Sequence, residues 1–179
     1  MKIYIIGGKA KSGKNTFGEL LRDNLKEYGY KPCDMQITEP LYSYARNNFE
    51  YDMDKDEKPR EFLQKMGIEI IREKLNKPNF LINRLKEDIE ILSNFFDTFI
   101  ITDARLINEF TNLKKTYTNV TTIKLERENY YVELSDTEKN HITETEIDTF
   151  DNFDYKVINS GYSSLEEQAK EIVKKENKK

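Results

Sequence analysis

Apolar residues along the chain follow two rhythms: short continuous runs, and longer stretches with an apolar position every three or four residues. Ile3–Ile6 is a continuous β-branched run, the pattern of a central strand covered on both faces. Phe17, Leu20, Leu21 and Leu25 then recur at helical spacing as far as Tyr28-Gly29, where the glycine suits a helix C-cap. Cys33–Ile37 predicts a weaker second strand. Thr38-Glu39-Pro40 reads as a helix entry that leads into Leu41, Tyr42, Tyr44, Ala45 and Phe49. After the polar break Asp52–Lys58, read as a solvated loop, helical spacing resumes from Pro59 (Phe62, Leu63, Met66, Ile70, Ile71). It resumes again from Pro78 (Phe80, Leu81, Leu85, Ile89, Leu92). Thr98–Thr102 is the second strong strand and ends on Asp103, with a helix carrying Leu106, Ile107, Phe110 and Leu113 behind it. Val120–Leu125 predicts a fourth strand. Tyr155–Ile158 predicts a short last one, followed by an Asn159-Ser160-Gly161 turn and a final helix over Leu165–Val173.

Strands that alternate with helices imply a parallel sheet with helices on both faces, here of about five strands. No repeat or composition shift divides residues 1–179, so the expectation is one domain. Residues 126–148 are polar and poor in core residues, too long for a plain connector, and read as a helical lid. In such sheets ligands bind at the carboxyl ends of the strands.

Composition narrows the function class. The net charge of -4 draws the whole molecule to neither nucleic acid nor an anionic membrane. Cys33 is the only cysteine, which removes an intramolecular disulfide or a Cys-based zinc site and fits a reducing, cytoplasmic location. No apolar run is long enough to span a bilayer, and the chain enters its first strand without a signal peptide. A homodimer is compatible with all of this.

The chemistry concentrates at two strand ends. Between the first strand and the first helix lies Gly8-Lys9-Ala10-Lys11-Ser12-Gly13-Lys14, a G-x-x-x-x-G-K phosphate loop. The glycines let successive N–H groups point at phosphate oxygens, the helix start adds its unpaired donors, and Lys14 adds a full charge. The next position, commonly a Ser or Thr that binds Mg2+, is Asn15, with Thr16 behind it. Asp103 ends an apolar strand, where such folds place a carboxylate that holds magnesium, here through water; the alternative is a helix N-cap. Arg105 beside it could neutralise a transferring phosphoryl group or form a surface salt bridge. Arg127 and Lys124 could close over bound phosphates. His141 reads as a lone exposed histidine. Asn76-Lys77-Pro78-Asn79 lacks the aspartate of a guanine-reading motif, and no glycine lies three residues after Asp103, so a GTPase is disfavoured.

Four blocks then resemble, in order, the phage-type deoxynucleoside monophosphate kinases. They are Lys9–Thr16, Pro59–Arg72 (PREFLQKMGIEIIR), Thr102–Glu109 (TDARLINE) and His141-Ile-Thr-Glu144. The family also follows its loop lysine with Asp or Asn and then Thr. The resemblance implies a P-loop nucleoside-monophosphate-kinase-like three-layer fold using ATP and Mg2+. It implies that residues 8–16 bind ATP and that the Asn159–Gly161 turn lies near the adenine. Helices over about 40–95 would bind the acceptor through Arg60, Gln64 and Arg72, with Lys14, Asp103, Arg105 and Arg127 acting on the phosphoryl group. His141 and Glu144 would belong to the lid or its hinge. Ile68 in place of Thr, and Leu106-Ile107 in place of Phe-Pro, depart from the family pattern and leave the base preference open. Val157–Gly161 is also similar to dephospho-coenzyme A kinases. The alternatives are thus a related small-molecule kinase, acting on dephospho-coenzyme A or phosphomevalonate, and a regulatory protein that binds ATP without an acceptor.

Overall fold

The computed structural model describes residues 1–49, 51, 60–129 and 139–178. The polar break at Asp52–Lys58 and the middle of the expected lid lie outside the described residues. Five strands form one sheet: β1 (Lys2–Gly7), β2 (Pro32–Met35), β3 (Thr98–Ala104), β4 (Val120–Arg127) and β5 (Tyr155–Asn159). All pair in parallel, in the order β2-β3-β1-β4-β5. Every residue of β1 is buried, which is why its apolar run is unbroken rather than alternating.

The alternation of side chains along the strands sorts the core into two layers. Tyr4, Ile6, Ile100, Ile123, Leu125 and Val157 pack against α1 (Lys14–Glu27) and the last helix, α7 (Tyr162–Glu176). Phe17, Leu21 and Leu25 of α1 and Leu165, Ala169 and Val173 of α7 fill that layer. Ile3, Ile5, Phe99 and Ile101 point the other way, onto α4 (Phe80–Leu92) and α5 (Ile107–Thr116). Phe110 of α5 closes that layer in a cluster with Phe150 and Phe153. Each such large side chain contributes about 1.5–3 kcal/mol by leaving water.

Three elements depart from the periodicity. β4 runs to Arg127, because β5 pairs with its polar end and sets Glu126 beside Ile158 and Arg127 beside Asn159. Arg127 therefore ends a strand rather than opening a lid. The helix expected after Pro59 is α3 (Arg60–Gln64), which continues as a π-helix over Lys65–Lys74. Its wider winding shows in Leu75 N–H bonding Ile70 O, five residues back, at 2.9 Å. Gly67 lies in this stretch, where an added Cβ would come within 3.2 Å of Leu41 on α2 (Glu39–Asn48). Of the expected lid, the described part includes a single short turn, α6 (Ile142–Thr145), followed by a 3-10 turn over Glu146–Thr149. No helix among the described residues is long and apolar enough to cross a membrane.

Candidate active site

The phosphate loop sits where the motif puts it, between the buried end of β1 and the start of α1. Its two terminal glycines are required by what surrounds them. A Cβ on Gly8 would lie 2.4 Å from the Leu125 carbonyl of β4. Gly13 has φ +106, and its Cβ would meet Asn159 Nδ2 at 2.5 Å. Lys11 between them also has positive φ, at 55, which curls the loop. Asn159 braces the loop: its Nδ2 donates to Ser12 O at 2.8 Å, and its Oδ1 accepts from Gly161 N–H at 3.1 Å. The Asn159–Gly161 turn is thus a strut under the loop.

Within the loop, Lys14 Nζ donates to the carbonyls of Gly8 and Lys9, both at 2.7 Å, and is buried. The ammonium therefore lies inside the curl, where a phosphate chain would run. Ser12 is 1% exposed, and its hydroxyl finds no hydrogen-bond partner among the described residues. A buried, unpartnered hydroxyl is costly unless a ligand satisfies it, so the loop fits an oxygen-rich anion. Arg127 Nη1 donates to Lys11 O at 3.2 Å from the loop's outer side. Lys9 pairs with Asp148 at 2.7 Å, and Lys124 pairs with Glu126 at 3.0 Å. Asn15 is exposed and Thr16 half-buried at the first turn of α1.

Asp103 makes contacts that the sequence did not predict. It does not cap α5, the helix behind it. Its Oδ1 accepts from Ile37 N–H at 2.8 Å, and its Oδ2 from Thr38 N–H at 3.0 Å and Thr38 Oγ1 at 2.6 Å. It thus ties the end of β3 to the turn that leads from the neighbouring β2 into α2. A carboxylate has about four lone-pair sites, and three are taken. One remains, which suits a magnesium-bound water and not direct chelation. Among the described residues no group of three His, Cys, Asp or Glu side chains could hold a metal.

The start of α5 is capped instead by Glu109, whose Oε2 accepts from Arg105 N–H at 2.7 Å and Leu106 N–H at 2.9 Å. Glu146 adds a third bond, accepting from Ile107 N–H at 2.7 Å. Burial pushes the Glu109 carboxyl up to about 7; the two N–H bonds oppose this, and the nearby Asp103 charge adds to it. Sequence reasoning gave Glu109 no role, although a glutamate three residues into a helix has capping-box spacing.

Beside the loop lies a cavity of about 140 Å³, which is room for several waters and so more than a packing defect. Its walls are apolar where α2, α3, the π-helix and α4 meet (Leu41, Leu63, Ile68, Ile71, Leu81, Ile82). Its polar lining includes Arg60, Gln64, Arg72 and Lys77 as well as Asp103, Arg105 and Glu144. The structure thus brings Arg60, Gln64 and Arg72 together with Asp103 and Arg105. Asn108 steadies Arg72, accepting from its Nη1 at 3.3 Å. Arg127, Lys124, Asn159 and Gly161 do not line this cavity. The Arg105 guanidinium, itself half-buried, pairs with the buried Glu144, so this ion pair is partly withdrawn from the surface. His141 is half-buried and not the exposed side chain expected; its Nδ1 caps α6 by accepting from Thr143 N–H at 3.3 Å.

No protein-family model and no curated protein matches the chain. Solved structures do. APS kinase from Mycobacterium tuberculosis, in complex with AMPPNP and APS, aligns with a TM-score of 0.53 at 13% identity, over 97% of this chain and 95% of that one. Shikimate kinase from Aquifex aeolicus aligns with 0.53 at 20% identity, over 98% and 95%. A gluconokinase from Sinorhizobium meliloti aligns with 0.53 at 12% identity, over 97% and 92%. The five-stranded parallel sheet flanked by helices is the fold these P-loop kinases share with this chain.

Proposed function

We propose that the chain, as one kinase domain, moves the γ-phosphoryl group of Mg-ATP onto a small monophosphate, in the first place a (deoxy)nucleoside monophosphate. One observation carries this reading. The phosphate loop and an arginine-bearing apolar cavity are joined through Glu144, which accepts from Ala10 N–H and lines the cavity together with Asp103 and Arg105. A protein that only bound ATP would have no use for the second set of cations.

Lys14 and the loop amides would hold the β- and γ-phosphates, with the Ser12 hydroxyl finding its partner there. Arg60 and Arg72, on the helical segment between about 40 and 95, would grip the acceptor's phosphate, since a guanidinium fork matches that geometry. The apolar wall would take the acceptor's base, and Gln64 would offer an amide to its edge. An acceptor phosphate oxygen attacks the γ-phosphorus as the bond to the bridging oxygen breaks, leaving ADP. Arg105 would neutralise the charge gathering on the transferring oxygens, with Arg127 covering the loop. Magnesium, held through water by Asp103, would neutralise the β- and γ-phosphates. Positioning and charge account for such a transfer without a strong general base.

The test is ADP release from Mg-ATP in the presence of each deoxy- and ribonucleoside monophosphate, with dephospho-coenzyme A and phosphomevalonate alongside. Stimulation by one or two nucleoside monophosphates is expected. Stimulation by one of the other acceptors would move the chain to a related small-molecule kinase. No stimulation, with ATP still bound, would favour a nucleotide sensor.

A further inference from the structure

Glu144 touches both halves of the site. One carboxylate oxygen, Oε2, accepts from Ala10 N–H in the phosphate loop at 2.9 Å, and the other, Oε1, accepts from Arg105 Nη1. The residue is 6% exposed, and α6, which carries it, is a single turn capped by His141. Arg105 Nη1 also donates to Thr143 O at 3.4 Å, and the arginine's own N–H is held by Glu109. One arm of the guanidinium is therefore fixed. Arginine has five N–H donors in a rigid fork, so holding one arm aims the others. Arg105 and Glu144 both line the cavity.

We propose that Glu144 is a positioning residue of the transfer site: it ties the Ala10 amide of the phosphate loop to Arg105 and so fixes that arginine where the loop meets the cavity. The proposal rests on the kinase reading for the arginine's task, but the contact itself can be tested by nucleotide binding alone. A carboxylate is needed because it must accept from two donors at once, one of them charged. In Glu144→Gln one oxygen becomes an NH2 group, which cannot accept from either. An arginine freed by about an ångström loses much of its effect on a transition state.

The experiment measures acceptor-dependent ADP release and, separately, the dissociation constants of ATP and ADP. It uses the wild type, Glu144→Gln, Arg105→Ala and the double variant. Glu144→Gln should lower kcat by about tenfold or more and shrink the preference for ATP over ADP, with ADP affinity held within about twofold. Arg105→Ala should do the same or more, and the double variant should be no worse than Arg105→Ala, because the glutamate acts through the arginine. Losses that multiply in the double variant would overturn the proposal. So would ATP and ADP affinities that fall together, or a Glu144→Gln protein indistinguishable from the wild type. If the wild type shows no acceptor-dependent release, the kinase reading fails, while the ATP-to-ADP ratio still decides the role of Glu144. Should Glu144→Gln not fold, Arg105→Lys probes the same contact from its more exposed partner, and an unchanged ATP preference there would refute the idea.

Discussion

At the amino edge of the sheet Lys2 meets Glu176 at 2.9 Å, with both side chains at most 10% exposed. The same carboxylate accepts from Tyr155 OH at 2.7 Å and Thr121 Oγ1 at 3.3 Å. Lys2 also lies 5.1 Å from the centre of the Tyr4 ring. Lys2, Glu176, Tyr155 and Thr121 thus serve one another; beside them Tyr30 OH donates to Asn177 Oδ1 at 2.6 Å, while Asn177 Nδ2 has no partner among the described residues. At the carboxyl edge, polar groups are just as buried but served differently. Lys14 turns onto carbonyls of its own loop, Ser12 Oγ has no partner among the described residues, and Asp103 and Glu109 lean on backbone N–H groups. The amino edge is arranged to hold α7 on the sheet. The carboxyl edge keeps donors available at a cost in stability, as sites that await a ligand do.

The comparison breaks most visibly at Lys14. Lys14→Ala should lower acceptor-dependent turnover about a thousandfold while the thermal midpoint barely moves, because its bonds to Gly8 O and Lys9 O stay within the loop and do not tie the loop to the core. Turnover close to wild type would show that the phosphates do not lie in the loop. At the other edge, Lys2→Met should invert the pattern. It strands Glu176 inside the sheet's lower rim, at a cost of about 3 kcal/mol and a fall in Tm of roughly 6–12 °C. The kcat of the folded protein should stay unchanged. A loss of kcat comparable to that of Lys14→Ala would mean that the two edges are not separate systems.

This division also marks what the sequence could show. β1, the loop and α1 are one continuous stretch, so the apolar run, the glycine spacing and the helical period specify them locally. The partners of Asp103 are different, since Ile37 and Thr38 lie 66 and 65 residues away. An acid at a strand end looks the same whether it meets magnesium or the turn after a neighbouring strand. The Ala10–Glu144 bond spans 134 residues and one of the least periodic parts of the chain. The extra length of β4 depends on β5, because Glu126 and Arg127 have no strand signal of their own. The π-winding of Lys65–Lys74 is likewise hidden, since Ile68 and Ile71 are buried at a spacing that ordinary helices share. Arg60 and Arg72 line one cavity, although nothing in their spacing shows it.

Glu109 sharpens the contrast by the smallest effect. Glu176 has a lysine for its buried charge, whereas Glu109 is given only two backbone N–H groups by Arg105 and Leu106. Its folded value of about 7 therefore stands above the ordinary 4.5. Between these values the folded chain holds a proton that the unfolded chain has released. Stability must then fall as pH rises through the window, by at most about 1.4 kcal/mol per pH unit. Above pH 7 both states are ionised and the slope vanishes; below 4.5 both are protonated and the favourable contribution is complete. Glu109→Gln keeps an oxygen for the two N–H groups and removes the titration. Denaturant unfolding of both proteins from pH 4.5 to 8 should give curves that diverge as pH rises through the window, with the variant gaining relative to the wild type. Parallel curves would mean that Glu109 is ionised throughout. The two backbone donors would then serve a buried charge as well as Lys2 serves Glu176, and the contrast between the edges would not extend to their carboxylates.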